Sequence, residues 1–201
     1  MPAKSGSARS ERLAREHATA RASILAAARR LAEREGSNGL SLRAVAAEAG
    51  YAPAALYGYF RNRSELVLAL AAEDMAGLAR AMREASKANR DGDGLGSVAA
   101  AALAHLCTAE TMAAAAIELG RTESGSEAER LFNGRLISAL RALSDAAGGR
   151  SESRDGQRDV VLMAATLAGL ALLSRSGRLQ TLGFEPEELV ARLDKRFAVE
   201  T

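Results

Sequence analysis

Tryptophan is absent from the 201 residues, aromatic residues make up 3%, and there is one cysteine. A single cysteine excludes a disulfide framework within the chain and any cysteine-rich zinc site. Histidine is nearly missing too: His17 and His105 are the two, and neither has a nucleophile in a recognisable spacing. There is no glycine-rich phosphate loop, no HExxH and no GxSxG, so the chain reads as no enzyme, with no cofactor and no metal. The first twenty residues carry charges but no apolar core of a secretion signal. The longest apolar run, Val160–Leu173, is broken only by Thr166 and Gly169. It is short for a membrane span and suits a buried core helix. A cytoplasmic protein with no membrane association is the expectation. Three prolines leave long stretches free to be helical, and 46 alanines fill them. Alanine and leucine are the strongest helix formers, while Val and Ile are scarce, so the fold class expected is all-α.

Charge is small in sum and uneven in place. The net value is +2, but residues 1–72 hold eleven Lys/Arg against six Asp/Glu, and residues 73–201 hold sixteen against nineteen. A basic N-terminal third on an acidic remainder fits a nucleic-acid-facing end, and equally a solvated charged face.

Periodicity predicts about nine helices. Residues 1–16, with Lys4, Arg9, Arg12 and Arg15, read as a flexible basic arm. Ile24, Ala28, Leu31 and Ala32 form the stripe of a helix over His17–Glu35, ended by Gly36 and Gly39. Ser41 is a natural N-cap for a short helix with Leu42, Val45, Ala46 and Ala49 inward, stopped by Gly50. Pro53 suits the first position of the next helix, whose core contacts are Leu56, Tyr59 and Phe60. Asn62 and Glu65 resemble a capping box and open a long fourth helix. Asn89–Gly96 is a loop signal. Helices follow over Val98–Cys107, Glu110–Leu119, Ser126–Ala147, Gln157–Ser174 and from Pro186. Three regions result: the arm, a helix-turn-helix domain at 17–62, and a larger helical domain at 63–201.

Two short helices joined by a glycine turn, Ser41–Ala49 and Pro53–Tyr59, form a helix-turn-helix pair. The full stretch from Ile24 to Leu66 resembles the N-terminal module of the tetracycline-repressor (TetR) family of bacterial transcription regulators. The matching residues are Ser41-Leu42-Arg43, Ala49-Gly50, Leu56-Tyr57-Gly58-Tyr59-Phe60 and Arg63-Ser64-Glu65-Leu66. The resemblance implies double-stranded DNA as partner, with a roughly palindromic operator. It further implies homodimerisation through the larger domain and a small effector.

Site residues carry over from the resemblance one by one. Ser41 caps helix two and bonds a phosphate. Arg43 lies near the DNA backbone or makes a surface salt bridge. Tyr57 and Tyr59 occupy positions of phosphate-contacting aromatics, with core packing the alternative for Tyr59. Arg63 replaces the family's Lys and keeps a charge for a phosphate. Ala52, Pro53, Ala54 and Ala55 begin the recognition helix without side-chain donors, so readout there rests on thymine methyls or DNA shape. Arg12, Arg15 and Arg21 reach the minor groove or phosphates, or simply stay solvated.

Val160–Leu173 is apolar nearly all round and must be covered on several sides. With the amphipathic last helix it could build a four-helix dimer interface from Val160, Ala164, Leu167, Ala168, Leu189, Leu193 and Phe197. A central core helix in a monomer is the alternative. An apolar effector would meet Met75, Leu78, Leu103, Leu106, Met112, Ile117, Phe132, Met163 and Leu167, each of which also suits plain core. The functional reading is a ligand-released homodimeric repressor. The rival is a helical interaction protein whose helix pair is only structural, which predicts no salt-sensitive binding to specific DNA.

Overall fold

Leucine and alanine dominate the middle of the chain, and there the fourth helix forms the axis of the fold. In the computed structural model, which describes residues 4–89, 94–121, 125–148 and 153–197, α4 spans Arg63–Ala88. Every residue from Leu66 to Ala72 is buried. Such a helix must be surrounded, and α4 packs on α5 (Gly94–Thr108), α6 (Met112–Leu119), α7 (Glu127–Ala146) and α1 (Lys4–Glu35). A fully buried leucine contributes about 1.5–3 kcal/mol, so α4 is a main source of cohesion.

The N-terminal module is α1 (Lys4–Glu35), a 3-10 turn at Ser37–Gly39, α2 (Leu42–Ala49) and α3 (Pro53–Leu56). Its core is Ile24, Leu25, Leu40, Val45, Leu56 and Phe60, none more than 2% exposed. The larger part adds α8 (Arg154–Arg175), the single-turn α9 (Arg178–Thr181) and α10 (Pro186–Phe197). The described residues thus hold ten α-helices and no strand.

The caps follow the sequence signals. The Ser41 hydroxyl accepts from the Ala44 N–H at 3.1 Å, and Asn62 Oδ1 accepts from the Glu65 N–H at 2.9 Å. Glu65 reaches back to the Arg61 N–H at 2.8 Å, one residue before the position a standard capping box would satisfy. Ser126 accepts from the Glu129 N–H at 3.1 Å.

Five boundaries differ from expectation: α3 ends at Leu56 rather than Tyr59, α6 starts at Met112 rather than Glu110, and three others change more of the picture. α1 is helical from Lys4 rather than His17, so the segment read as an arm continues the first helix. Good helix formers and two i,i+4 pairs, Arg15–Glu11 and Arg12–Glu16 at 3.5 Å, favour that continuation. α5 begins at Gly94, within the stretch read as a loop, of which residues 90–93 lie outside the described ones. α8 begins at Arg154 because Ser153 caps it, accepting from the Gly156 N–H at 2.9 Å. α9 has no periodicity long enough to be read from sequence.

One polar network crosses the interior. Asp74 of α4 is 4% exposed and accepts from Arg29 of α1 and from the Thr111 hydroxyl before α6. His105 Nε2 of α5 lies 2.9 Å from the Asp74 carbonyl oxygen. A Cβ on Gly77 would stand 2.7 Å from the His105 ring, so glycine is what lets α5 approach α4 there. Burial opposes the charge on Arg29, yet Asp74 and Glu73 outweigh it and hold the guanidinium protonated more firmly than usual. On the surface, hydrogen bonds from Arg34 and Arg30 of α1 hold the Glu48 carboxyl of α2 below the ordinary carboxylate range.

Gly50 closes α2 in the left-handed region at φ 74, with the Tyr51 N–H donating to the Ala46 carbonyl at 2.9 Å. A Cβ there would touch nothing within 4 Å. Gly50→Ala should therefore destabilise the protein by about 1 kcal/mol, from backbone strain alone. Denaturant unfolding measures this, and a loss several times larger would mean the turn is held by contacts instead.

Candidate nucleic-acid interface

α2 buries Leu42, Val45 and Ala46 and turns Arg43 outward. The Ser41 oxygen is engaged as an acceptor in the cap, and its O–H remains able to donate. Arg43 makes no hydrogen bond or ion pair with another described residue.

The turn at Gly50 then swings the chain into α3. Leu56 points inward at 0% exposure, which forces Ala52, Pro53, Ala54 and Ala55 outward. Tyr57 follows at 63% exposure. The helix is one turn long and continues as tight turns, with the Gly58 N–H on Ala55 O and the Tyr59 N–H on Leu56 O. Its outer face is methyl groups, a pyrrolidine ring and one phenol. That face can meet thymine methyls or a groove of fitting shape, and Tyr57 can donate to a phosphate.

Tyr59 is half-buried and serves as packing as well as surface. Its ring stacks on His17 of α1 with centroids 4.6 Å apart and meets Tyr51 edge-on at 6.4 Å. Arg21 sits over the Phe60 ring at 4.9 Å. His17, Arg21, Tyr57, Tyr59, Arg61 and Glu65 line a concavity of about 520 Å³ beside the recognition turn. His17 and Arg61 were missed from sequence. The signal for His17 appears only once α1 lies across the turn, because no sequence spacing joins residues 17 and 59.

Arg63 has protein partners that its sequence position does not reveal. Its guanidinium donates to the Leu40 and Ser37 carbonyls, both at 2.9 Å, and to Glu118 of α6. Glu118 is 4% exposed and also accepts from the Ser64 hydroxyl. One N–H on each of its three nitrogens is engaged, so Arg63 clamps the module to α6, while two of its five N–H groups remain and 35% of the side chain is exposed.

The expected effector residues fall mostly into solid core. Met75, Leu78, Leu103, Phe132, Met163 and Leu167 are buried, and Leu106 and Met112 pack half-buried against them. Ile117 is 60% exposed and lies outside that core: α6 turns Ala115 and Glu118 inward, which leaves Ile117 on the surface. Leu103 also lines a crevice of about 530 Å³ with Ser97, Cys107, Ser174, Glu187 and Val190.

The residues expected at a dimer face divide between core and surface. Val160 and Leu167 are 5% and 2% exposed and belong to the chain's own core. Ala164, Leu193 and Phe197 are half-buried against that core, and Leu189 is half-buried as well. Ala168 does face outward, in a stripe with Val161, Leu162, Ala165 and Leu172. α8 is therefore apolar on both sides but covered on one.

Comparison with known proteins bears on the module and on the fold. Residues 24–70 match the family model described as bacterial regulatory proteins, tetR family. No curated protein sequence matches the chain. Among solved structures, a Rhodococcus sp. RHA1 protein of unknown function superposes with a TM-score of 0.71 at 23% identity, over 89% of this chain and 93% of that one. A TetR transcriptional regulator from the same organism gives 0.67 at 19%, over 90% and 97%. The transcriptional regulator FadR from Bacillus subtilis, in complex with stearoyl-CoA, gives 0.62 at 17%, over 89% and 98%.

Replacing Arg63 by Ala removes a charged partner of the buried Glu118 carboxylate. The expected loss of stability is about 3 kcal/mol, the low end for breaking a buried pair because 35% of the Arg63 side chain remains exposed. Chemical denaturation checks this. A phosphate ligand would behave oppositely, leaving stability intact and lowering the salt dependence of DNA binding.

Proposed function

The chain belongs to the tetR family of bacterial regulatory proteins, and from that premise we propose that it is a ligand-released homodimeric repressor. It is a DNA-binding transcriptional regulator, and it acts in the cytoplasm on a roughly palindromic operator. The observation that carries the reading is the exposed tip of α3 within the module at residues 24–70. Ser41, Arg43 and Tyr57 hold phosphates, and Tyr59 supports them from its stack on His17. Ala52, Pro53, Ala54 and Ala55 enter the major groove and read methyls and shape.

The outward stripe of α8 supports dimerisation. Val161, Leu162, Ala165, Ala168 and Leu172 form an apolar surface that a second copy covers by two-fold symmetry. Two modules then address half-sites about one helical turn apart, roughly 34–36 Å.

The effector is small and apolar and enters the alanine-rich larger domain. The regulator that shares this fold and holds stearoyl-CoA supports a ligand with an apolar acyl portion. Binding shifts α4, and with it the separation of the two α3 helices. Such a ligand releases DNA only to the extent that it binds the released form more tightly. Glu118 and Arg63 tie α6 to the start of α4 and to the module, which gives a displacement in the larger domain a rigid route to the DNA end.

Selecting bound fragments from genomic DNA at two salt concentrations tests the function. Enrichment of a short inverted repeat that weakens with salt is expected. No enrichment by folded, ligand-free protein at low salt would overturn the reading. Tyr57→Phe should weaken binding to all sequences about equally; a loss selective for particular bases would refute the phosphate role. For the interface, Val161→Asp should convert a dimer to monomers in sedimentation at micromolar concentration, with helix content retained. A persistent dimer would place the interface elsewhere.

A further inference from the structure

α1 is longer than its own module requires. From Ile24 onward its inner face is core, but residues 8–19 are exposed all round. Lys4–Glu16 adds 13 helical residues ahead of the His17–Tyr59 stack, a span of about 20 Å. Among the described residues, no burial in the core accounts for that extension.

Its direction and chemistry point to a partner. His17 and Arg21 pin one face of α1 against Tyr59 and Phe60, so the extension leaves the recognition turn along a set line. A neighbouring face carries Ala8, Arg12, Arg15 and Thr19 at helical spacing. With Glu16 of α1 and Tyr51 at the α2–α3 turn, those residues line an open concavity of about 790 Å³. It lies at the edge of the surface proposed for DNA and continues it.

Two arginines thus project into a concave surface that already borders that interface. Their existing partners are weak. Arg12–Glu16 and Arg15–Glu11 are i,i+4 pairs at 3.5 Å, with every side chain more than 60% exposed, and Arg15 Nε also donates to the Glu11 carbonyl at 3.4 Å. Exposed pairs of this kind contribute about 0.3–0.5 kcal/mol, so a phosphate can displace the carboxylates at little cost. Thr19 spends its hydroxyl hydrogen on the Arg15 carbonyl at 2.9 Å and adds no donor. The tyrosine ring at 51 gives the concavity an apolar wall.

We propose that the N-terminal extension of α1 is a second DNA-binding element, a helical arm whose Arg12 and Arg15 take backbone phosphates of the duplex beside the segment met by α3. This rests on the DNA-binding reading of the module. The arm contributes affinity and salt dependence without base selectivity, since phosphate contacts carry no sequence information of their own. A rigid arm pays less ordering entropy on binding than a flexible one of the same charge.

The test uses the full chain and a duplex of the enriched inverted repeat, flanked by about six base pairs, the span of the arm at about 3.4 Å per base pair. The variant is Arg12→Ala with Arg15→Ala. Its slope of log affinity against log salt should be shallower by about 1.8, from two lost phosphate contacts. Over a fourfold rise in salt the wild type should then lose about tenfold more affinity than the variant. The Arg12→Lys, Arg15→Lys variant should keep the wild-type slope, and all three should unfold at the same temperature because both side chains are exposed. Wild type and alanine variant binding with equal slopes would overturn the arm and leave the module reading intact. Wild type failing to bind DNA at any salt would overturn both.

Discussion

Glu118 brings a carboxylate to a position 4% exposed to solvent, and a charge placed there must be met. Arg63 meets it from the first turn of α4 and uses its remaining nitrogens on the Ser37 and Leu40 carbonyls. The Ser64 hydroxyl donates to the same carboxylate. The consequence is geometric. The turn that leads into α2, the start of α4 and the end of α6 share one cluster, so the module cannot rotate on the larger domain without exposing or stranding a charge. At the other end of α6, Thr111 is bonded to Asp74, which Arg29 of α1 also holds. α6 is therefore fixed at both ends to α4, and through arginines to the module.

That rigidity gives meaning to the plain chemistry of α3. A one-turn helix of alanines and a proline has few polar groups with which to choose a base. Its selectivity must come from how it is presented, and presentation is set by Leu56 and Phe60 below it and by the His17–Tyr59 stack beside it. Positioning by packing takes the place of hydrogen-bond readout. The same economy makes backbone contacts important, because phosphates fix the register of a surface that reads mainly shape.

α8 carries the opposite problem. One side closes the core through Val160, Met163, Leu167 and Ala171, and the other leaves Val161, Leu162 and Leu172 more than half exposed. By length and composition it is the one helix among the described residues that could cross a membrane, with 33% of its apolar window buried. Its inner side packs on α5, α7 and α10, and the outer stripe of small and aliphatic residues suits a helix of a second copy.

Much of the architecture was legible from residue order. Ser41, Gly50, Pro53, Asn62 and Ser126 marked helix ends because caps and left-handed turns are local chemistry, decided within a few residues. The alternation of apolar positions placed Ile24, Leu31, Leu56 and Leu66 inside for the same reason. What lay beyond reach was everything that depends on which distant helix comes alongside. Arg63 carries the same charge whether it faces a phosphate or Glu118, 55 positions away. Val160 and Val161 are adjacent and equally apolar, so composition could not say which one faces the core. An arm and a helix have the same residues at positions 8–16, and the i,i+4 spacing of Glu11–Arg15 and Arg12–Glu16 is a weak signal without an apolar stripe beside it. Local caps and periodicity determined the elements; the meeting of α4 with α1, α5, α6 and α7 decided which charges are buried, which faces stay open, and hence where this protein can touch anything else.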